Sequence, residues 1–163
     1  MMARVRPAKI EDAAACAAIY APFVTDGAVS FETEAPGADE MAARIARYGA
    51  SHAWLVAEAQ DAVIGYAYAS PHRDRAAYAS SCDVAVYVDP AFARQGVGRA
   101  LYGVLLPAMK ERGLHAAFAG IALPNAGSVG LHEACGFTPV GVYREVGWKL
   151  GAWRDVGWWQ RLL

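Results

Sequence analysis

The chain has 163 residues, and 15 lysines and arginines against 16 aspartates and glutamates leave a formal net charge of −1 at pH 7. That balance supplies neither the basic field of a nucleic-acid binder nor a polybasic membrane anchor. The length suits one domain whose core needs no disulfide or metal staple, and 56% hydrophobic content excludes low-complexity disorder.

No stretch approaches the roughly 20 apolar residues of a membrane helix; the longest candidate, Ala13 to Val24, is interrupted by Pro22. The opening Met1 to Pro7 has neither the apolar core nor the cleavage site of a secretory leader. Cys16, Cys82 and Cys135 stand in no metal-ligand spacing and read as reduced core thiols of a cytoplasmic protein without a metal site.

Val5 begins a short apolar segment, and Lys9-Ile10-Glu11-Asp12 opens an alanine-rich helix predicted through about Phe23. A second helix is predicted from about Ala38 to Tyr48, with Met41, Ile45 and Tyr48 on one face. Trp54 to Glu58 and Val63 to Tyr68 read as strands joined around Gln60-Asp61 in a hairpin. After a polar loop from Pro71 to Ser81 comes a strand, Asp83 to Val88, stopped by Asp89-Pro90. Gly96-Val97-Gly98-Arg99 then leads into a helix through about Arg112, capped by Gly113. Ala116 to Ala122 is a further strand, Ser128 to Cys135 a short helix ended by Gly136, and Phe137 to Tyr143 and Trp153 to Leu162 the final strands. The order β-α-α-β-β-β-α-β-α-β-β describes a mixed α/β sheet, continuous from residue 1 to 163 with no linker.

The turn Arg94-Gln95-Gly96-Val97-Gly98-Arg99 carries the most chemistry. Glycines admit close backbone approach, and a helix's first turn offers unpaired N–H groups and the positive dipole end, together a phosphate cradle. Arg94 and Arg99 add charge at its rim. Arg99-Ala100 replaces the Lys-Ser/Thr of a P-loop, and Leu101 replaces the third glycine of a dinucleotide fingerprint. Taken alone, the motif also fits a strand-to-helix turn that binds nothing.

The ordered set of motifs resembles the GNAT superfamily of acyl-CoA-dependent N-acetyltransferases, and within it the phosphinothricin (methionine sulfoximine) N-acetyltransferase family. The match spans Val5 to Trp159. It rests on Phe31-Glu32-Thr33-Glu34, Trp54 to Glu58, Val86-Tyr87-Val88, Gly96-x-Gly98, Gly120-Ile121-x-Leu123-Pro124-Asn125, Ser128 to Phe137 and the tail from Gly147 to Gln160. One departure is Ala93, where the superfamily usually has Gln or Arg.

The resemblance implies a mostly antiparallel sheet with splayed central strands, acetyl-CoA as co-substrate and a homodimer. It places Val86, Tyr87 and Val88 along the pantetheine, Arg94 to Arg99 (with Gln95, Gly96, Val97 and Gly98) at the pyrophosphate, and Asn125 near the pantetheine arm. Asp83 stands where the family carries a glutamate, which makes it the candidate base for an amine that must lose a proton before attack; a strand-start residue facing solvent is the alternative. His132 occupies the place of the tyrosine that protonates the leaving thiolate in the wider superfamily, and a purely structural histidine remains open. Tyr87 and Tyr143 are further candidates for that acid.

Arg73 and Arg75, at i and i+2, would point the same way in extended backbone and fork onto a substrate carboxylate. Phe31 and Glu32 fall in the loop where this family shapes the acceptor end of the cleft. Solvated surface roles are the alternative for Arg73, Arg75 and Glu32. The expected reaction is direct acetyl transfer to a small amino-acid-like amine. Its rivals are another acceptor (a protein N-terminus, a polyamine, an aminoglycoside) and a non-catalytic acyl-CoA sensor.

Overall fold

In the computed structural model, which describes residues 2–163, the chain runs β1 (Arg4–Pro7), α1 (Ala13–Thr25), α2 (Ala38–Ser51), β2 (Ala53–Ala59), β3 (Ala62–Pro71), β4 (Ser81–Val88), α3 (Val97–Glu111), β5 (Ala116–Leu123), α4 (Ala126–Ala134), β6 (Thr138–Lys149) and β7 (Ala152–Leu162). Met1, the start of the segment read above for a leader, lies outside the described residues. The order of elements is the one the sequence predicts.

Local chemistry accounts for most boundaries. Gln60 and Asp61 both take positive φ (51° and 63°), the pair that a two-residue hairpin turn requires between twisted strands. Gly113, at φ 88°, ends α3 while the Leu114 N–H bonds back to the Met109 carbonyl. Asn125 accepts from the Ser128 N–H at 3.1 Å, so α4 starts at Ala126 rather than Ser128. The Lys9–Asp12 segment forms a 3-10 turn from Ile10 to Asp12, because Arg6 and the Lys9 N–H hold the Asp12 carboxylate there and α1 proper begins only at Ala13. The last hairpin is longer than predicted. β6 continues past a bulge between Tyr143 and Gly147, where Glu145 takes φ 54°, a break in alternation that hides the strand's second half from a sequence pattern.

The strands form one sheet in the order β1-β2-β3-β4-β5-β7-β6. All neighbours are antiparallel except β4 and β5, which pair in parallel only from Ser81–Asp83 to Ala116–Phe118. Beyond that, β4 stays bonded to β3 as far as Val88, and β5 to β7 as far as Leu123. The two central strands therefore part at Asp83 and leave a wedge in the sheet. One core lies under α3, where Leu101, Tyr102, Leu105 and Met109 pack on Cys82, Val84, Ala117 and Ala119. The other joins α1 and α2 to Trp54, Val56 and Tyr66. With side chains alternating along β4, Asp83 shares the α1/α2 face with Tyr87.

Candidate active site

The wedge opens as a cleft lined by Val84–Tyr87 of β4, Ala119–Ala122 of β5, Asn125 and Ser128 at the start of α4, His132 in its last turn, and Val29. Val86 and Val88 turn their side chains into the core under α3, while the Tyr87 ring lies against Tyr20 (4.8 Å between centroids), Phe23 and Tyr66. Burial pushes the Tyr87 hydroxyl up, which makes it a weaker acid than an ordinary tyrosine. What this stretch of β4 offers the cleft is backbone: its β3-facing groups are paired, and beyond Asp83 its other edge has no strand partner.

At the head of the cleft Arg94 and Gly96 take φ of 61° and 81°, and the first helical bond of α3 runs from the Ala100 N–H to the Gly96 carbonyl at 3.0 Å. The N–H groups of Val97, Gly98 and Arg99 precede it and have no helical acceptor. No side chain caps this terminus, and Arg94, Gln95 and Arg99 are exposed around it. The arrangement suits a phosphate group. Gly98 has a different reason from the one read in the sequence: a Cβ there would stand 2.8 Å from Leu131 Cδ2, so this glycine lets α3 and α4 approach each other. Gly96, with nothing within 4 Å, is the glycine required by backbone conformation.

At the apex the Asp83 Oδ1 lies 2.5 Å from the Nδ1 of His72, a residue that the sequence reading passes over. Burial pushes the Asp83 carboxyl up from its ordinary value, and the hydrogen bond to His72 pulls it partly back. The His72 ring stacks on Phe118, 4.4 Å between centroids, with Tyr78 and Trp158 edge-on at 6.0 Å.

His132 lines the cleft wall, yet its hydrogen bonds revise the role expected for it. Nδ1 lies 2.7 Å from the Ser128 carbonyl, which can only accept, so Nδ1 carries the proton. Nε2 then accepts from the Tyr102 hydroxyl at 2.8 Å. Burial lowers its pKa. A neutral ring whose single N–H is committed to backbone serves to fix α4 against α3; it has no proton directed at a leaving sulfur.

The candidate acceptor residues separate in the same way. Phe31 is exposed along one side and packs on Gly147, whose missing Cβ makes room for the ring. Glu32 is not a free acceptor. Arg44 grips both its oxygens, at 2.9 and 2.6 Å, and Tyr20 also bonds it; Arg44 holds the carboxyl below its ordinary range. Arg73 and Arg75 are exposed on a bent segment rather than an extended one, so the i, i+2 argument for a common direction does not apply. Arg73 reaches only the His72 carbonyl, at 2.9 Å.

Sequence reasoning also missed Tyr20, Arg44 and Lys149. The buried Lys149 Nζ donates to the carbonyls of Val24 and Ser30 at 2.6 Å each, across more than a hundred residues of chain. The only available signal was that this lysine lies in an apolar strand pattern. Among the described residues no group of three His, Cys, Asp or Glu is arranged for a metal ion, and no helix is long and apolar enough to cross a membrane.

The model of the acetyltransferase (GNAT) family matches residues 18–137. The chain is 41% identical over 157 residues to phosphinothricin N-acetyltransferase of Streptomyces viridochromogenes, covering 96% of this chain and 86% of that one. Among solved structures, a GNAT superfamily phosphinothricin acetyltransferase from Sinorhizobium meliloti in complex with AcCoA superposes with a TM-score of 0.95 at 33% identity, covering 100% of this chain and 89% of that one. A ribosomal-protein-alanine N-acetyltransferase from Brucella melitensis superposes equally well, at TM-score 0.95 and 30% identity, over 98% and 99% of the two chains. With the splayed central strands and the uncapped glycine turn that begins α3, these matches establish that the chain belongs to the GNAT family and is an acetyltransferase.

Proposed function

We propose that the protein transfers the acetyl group of acetyl-CoA to the amino group of a small amino-acid-like acceptor, of the phosphinothricin, methionine sulfoximine or methionine sulfone class. The observation that carries this reading is one cleft with an anion cradle at its head and a half-buried carboxylate, Asp83, at its apex. The relative named for phosphinothricin and the neighbour holding AcCoA support it.

Bound in the cleft, acetyl-CoA supplies an acyl carbon activated as a thioester, with a thiolate as leaving group. The N–H groups of Val97, Gly98 and Arg99 hold its pyrophosphate, with Arg94, Gln95 and Arg99 at the rim. The β4 backbone at Val86, Tyr87 and Val88 pairs with the pantetheine amides, an N–H near Val86 polarises the thioester carbonyl, and Asn125 borders the arm. Asp83 drives removal of the acceptor's proton. Arg73 and Arg75 attract its carboxylate, and Phe31 walls its side chain.

Glu32 contributes by holding the loop that carries Phe31, and His132 by fixing α4. Transfer is direct. Cys82, next to Asp83, is buried, its thiol is pushed up to about 12, and it is no nucleophile at neutral pH. The enzyme works in the cytoplasm as a homodimer, its second copy covering the edge strand β6, where Val140, Val142, Val146 and Trp148 are all more than half exposed.

A second reading, with a protein N-terminus as acceptor, is favoured by the likeness to the ribosomal-protein-alanine enzyme. CoA release across an amine panel separates the two. Turnover on phosphinothricin and the sulfoximine-like compounds is expected. Turnover only on an alanine-initiated peptide selects the second reading, and acetyl-CoA binding without any turnover overturns both in favour of a sensor. For the cradle, Gly96→Asp is the clean variant, because Asp tolerates the left-handed conformation better than most residues and meets no neighbour there. It is expected to weaken acetyl-CoA binding at least tenfold by calorimetry with little change in fold. Unchanged affinity would remove the cradle from the site.

A further inference from the structure

We infer that His72 is the residue that takes the proton from the acceptor amine, with Asp83 as the carboxylate that orients it. This rests on the acetyl-transfer reading above and names the atom that does the proton transfer. Neither the family match nor the spacing of motifs singles out His72; its position beside the apex does.

The argument begins with the sheet. His72 follows directly on β3, and in the β3–β4 register Ser70 lies opposite Asp83 and Pro71 opposite Cys82. Alternation puts Ser70, His72 and Asp83 on one face, which brings the imidazole diagonally across to the carboxylate. Aspartate has a shorter arm than glutamate, and here that arm is spent on Nδ1 at 2.5 Å.

Of the two ring nitrogens, Nδ1 is taken. Nε2 makes no hydrogen bond among the described residues and is not sealed from solvent; the side chain as a whole is 14% exposed. The ring has little freedom to turn away, stacked on Phe118 with Tyr78 and Trp158 at its edges. An Nδ1–H donated to a carboxylate leaves Nε2 with its lone pair free, the tautomer a proton acceptor needs. The contrast with His132 is complete: there both nitrogens are used internally.

Position agrees. Asp83 and Phe118 form the last pair before β4 and β5 part, so the dyad sits where the wedge begins. The charged or titratable groups around the ring are Asp83 on β4, Tyr78 on the turn after β3, and Arg73, whose guanidinium bonds the His72 carbonyl. Phe118 on β5 and Trp158 on β7 carry no charge. Asp83 is the one anion facing the ring, and it stabilises the imidazolium that forms.

The protons and electrons balance as follows. The acceptor ammonium gives one proton to Nε2. The freed lone pair forms the N–C bond to the acyl carbon, and the C–S bond breaks with its electron pair going to sulfur. The second proton lost from nitrogen goes to the departing thiolate, and the imidazolium returns its proton to water.

The test combines kinetics with a measurement that needs no acceptor. In protein labelled with 15N-histidine, His72 (assigned by its loss in His72→Gln) is expected to show a protonated Nδ1 and a bare Nε2; the opposite tautomer overturns the proposal. His72→Gln is expected to lower kcat/KM about 100-fold or more, with acetyl-CoA affinity unchanged, and to remove the acid limb of the pH–rate profile. Asp83→Asn is expected to keep that limb and lower kcat/KM, because the ring loses the carboxylate that orients it.

If Asp83→Asn instead abolishes the limb while His72→Gln keeps it, with kcat/KM within threefold of wild type, Asp83 accepts the proton directly and the proposal falls. A wild-type protein that turns over no amine at all overturns the acetyl-transfer reading itself, and the role of His72 with it.

Discussion

Two connecting segments, one between α1 and α2 and one between β3 and β4, treat their charges in opposite ways. At the segment between α1 and α2 charges and hydroxyls are answered inside the fold: Tyr20 pairs with Ser30 at 2.6 Å, Glu32 with Arg44, and Lys149 with the Val24 and Ser30 carbonyls. In the segment between β3 and β4, His72 keeps one nitrogen free, Arg73 reaches only its neighbour's carbonyl, and the Arg75 side chain bonds nothing among the described residues. A charge already answered within the fold builds the site, whereas an unanswered one beside a cleft is available to a ligand. By that criterion Glu32 is spent within the fold, and Arg73 and Arg75 are left with charge to offer.

Breaking the first loop should give the largest effect. Lys149→Met leaves the Val24 and Ser30 carbonyls without their donor, and is expected to cost about 2 kcal/mol, read as a Tm lower by about 4–8 °C. An unchanged Tm would show that water replaces the ammonium. In the second loop, the Arg73→Ala, Arg75→Ala double variant is expected to raise the acceptor KM about tenfold, or about 1.4 kcal/mol, with kcat, Tm and acetyl-CoA affinity held. A stability loss with no KM change would reverse the comparison.

Arg44→Met sharpens the contrast, since this pair is partly solvent-screened: side-chain exposures are 25% for Arg44 and 34% for Glu32. The expected loss is about 1 kcal/mol at most, together with a modest rise in acceptor KM as Phe31 loses its support, followed by thermal melts and initial rates.

The smallest effects are those of pH on stability, and here the carboxyls of Glu32 and Asp83 differ in sign. Glu32 is held below its ordinary value in the fold, so its contribution is present at neutral pH and is lost as pH falls through the carboxylate range. Asp83 is pushed above its ordinary value, so its ionisation costs stability as pH rises through that range, and the cost is absent in acid. Melting Glu32→Gln and Asp83→Asn against pH should therefore give differences from wild type that both shrink toward acid from opposite sides of zero. Curves of the same sign would mean that one of the two carboxyls is misassigned.

Much of the fold was legible because it is written in short-range rules. The Gln60-Asp61 turn, the Gly113 and Gly136 helix ends and the apolar stripe from Leu101 to Met109 all depend on residues within a few positions of one another. The glycine turn into α3 was legible for the same reason. The second half of β6 was not, because the bulge at Glu145 shifts its register.

In the candidate site, the sequence singled out Asp83, Gly96 and Arg99 but not what Asp83 touches. Eleven positions separate it from His72, a spacing with no local period. Gly98 shows the reverse case: its presence was read correctly and its reason was not, since Leu131 lies on another helix.

The sequence by itself determined the order of elements, the glycine turn and the family, because local backbone preference and ordered motifs survive without knowledge of distance. Tertiary structure alone decided which charges are spent. Glu32 is paired with Arg44, His132 is held by Tyr102 and Ser128, and His72 keeps one nitrogen without a hydrogen bond among the described residues. A side chain's chemistry depends on its partners within a few ångströms, and the chain brings those partners together from across the sheet.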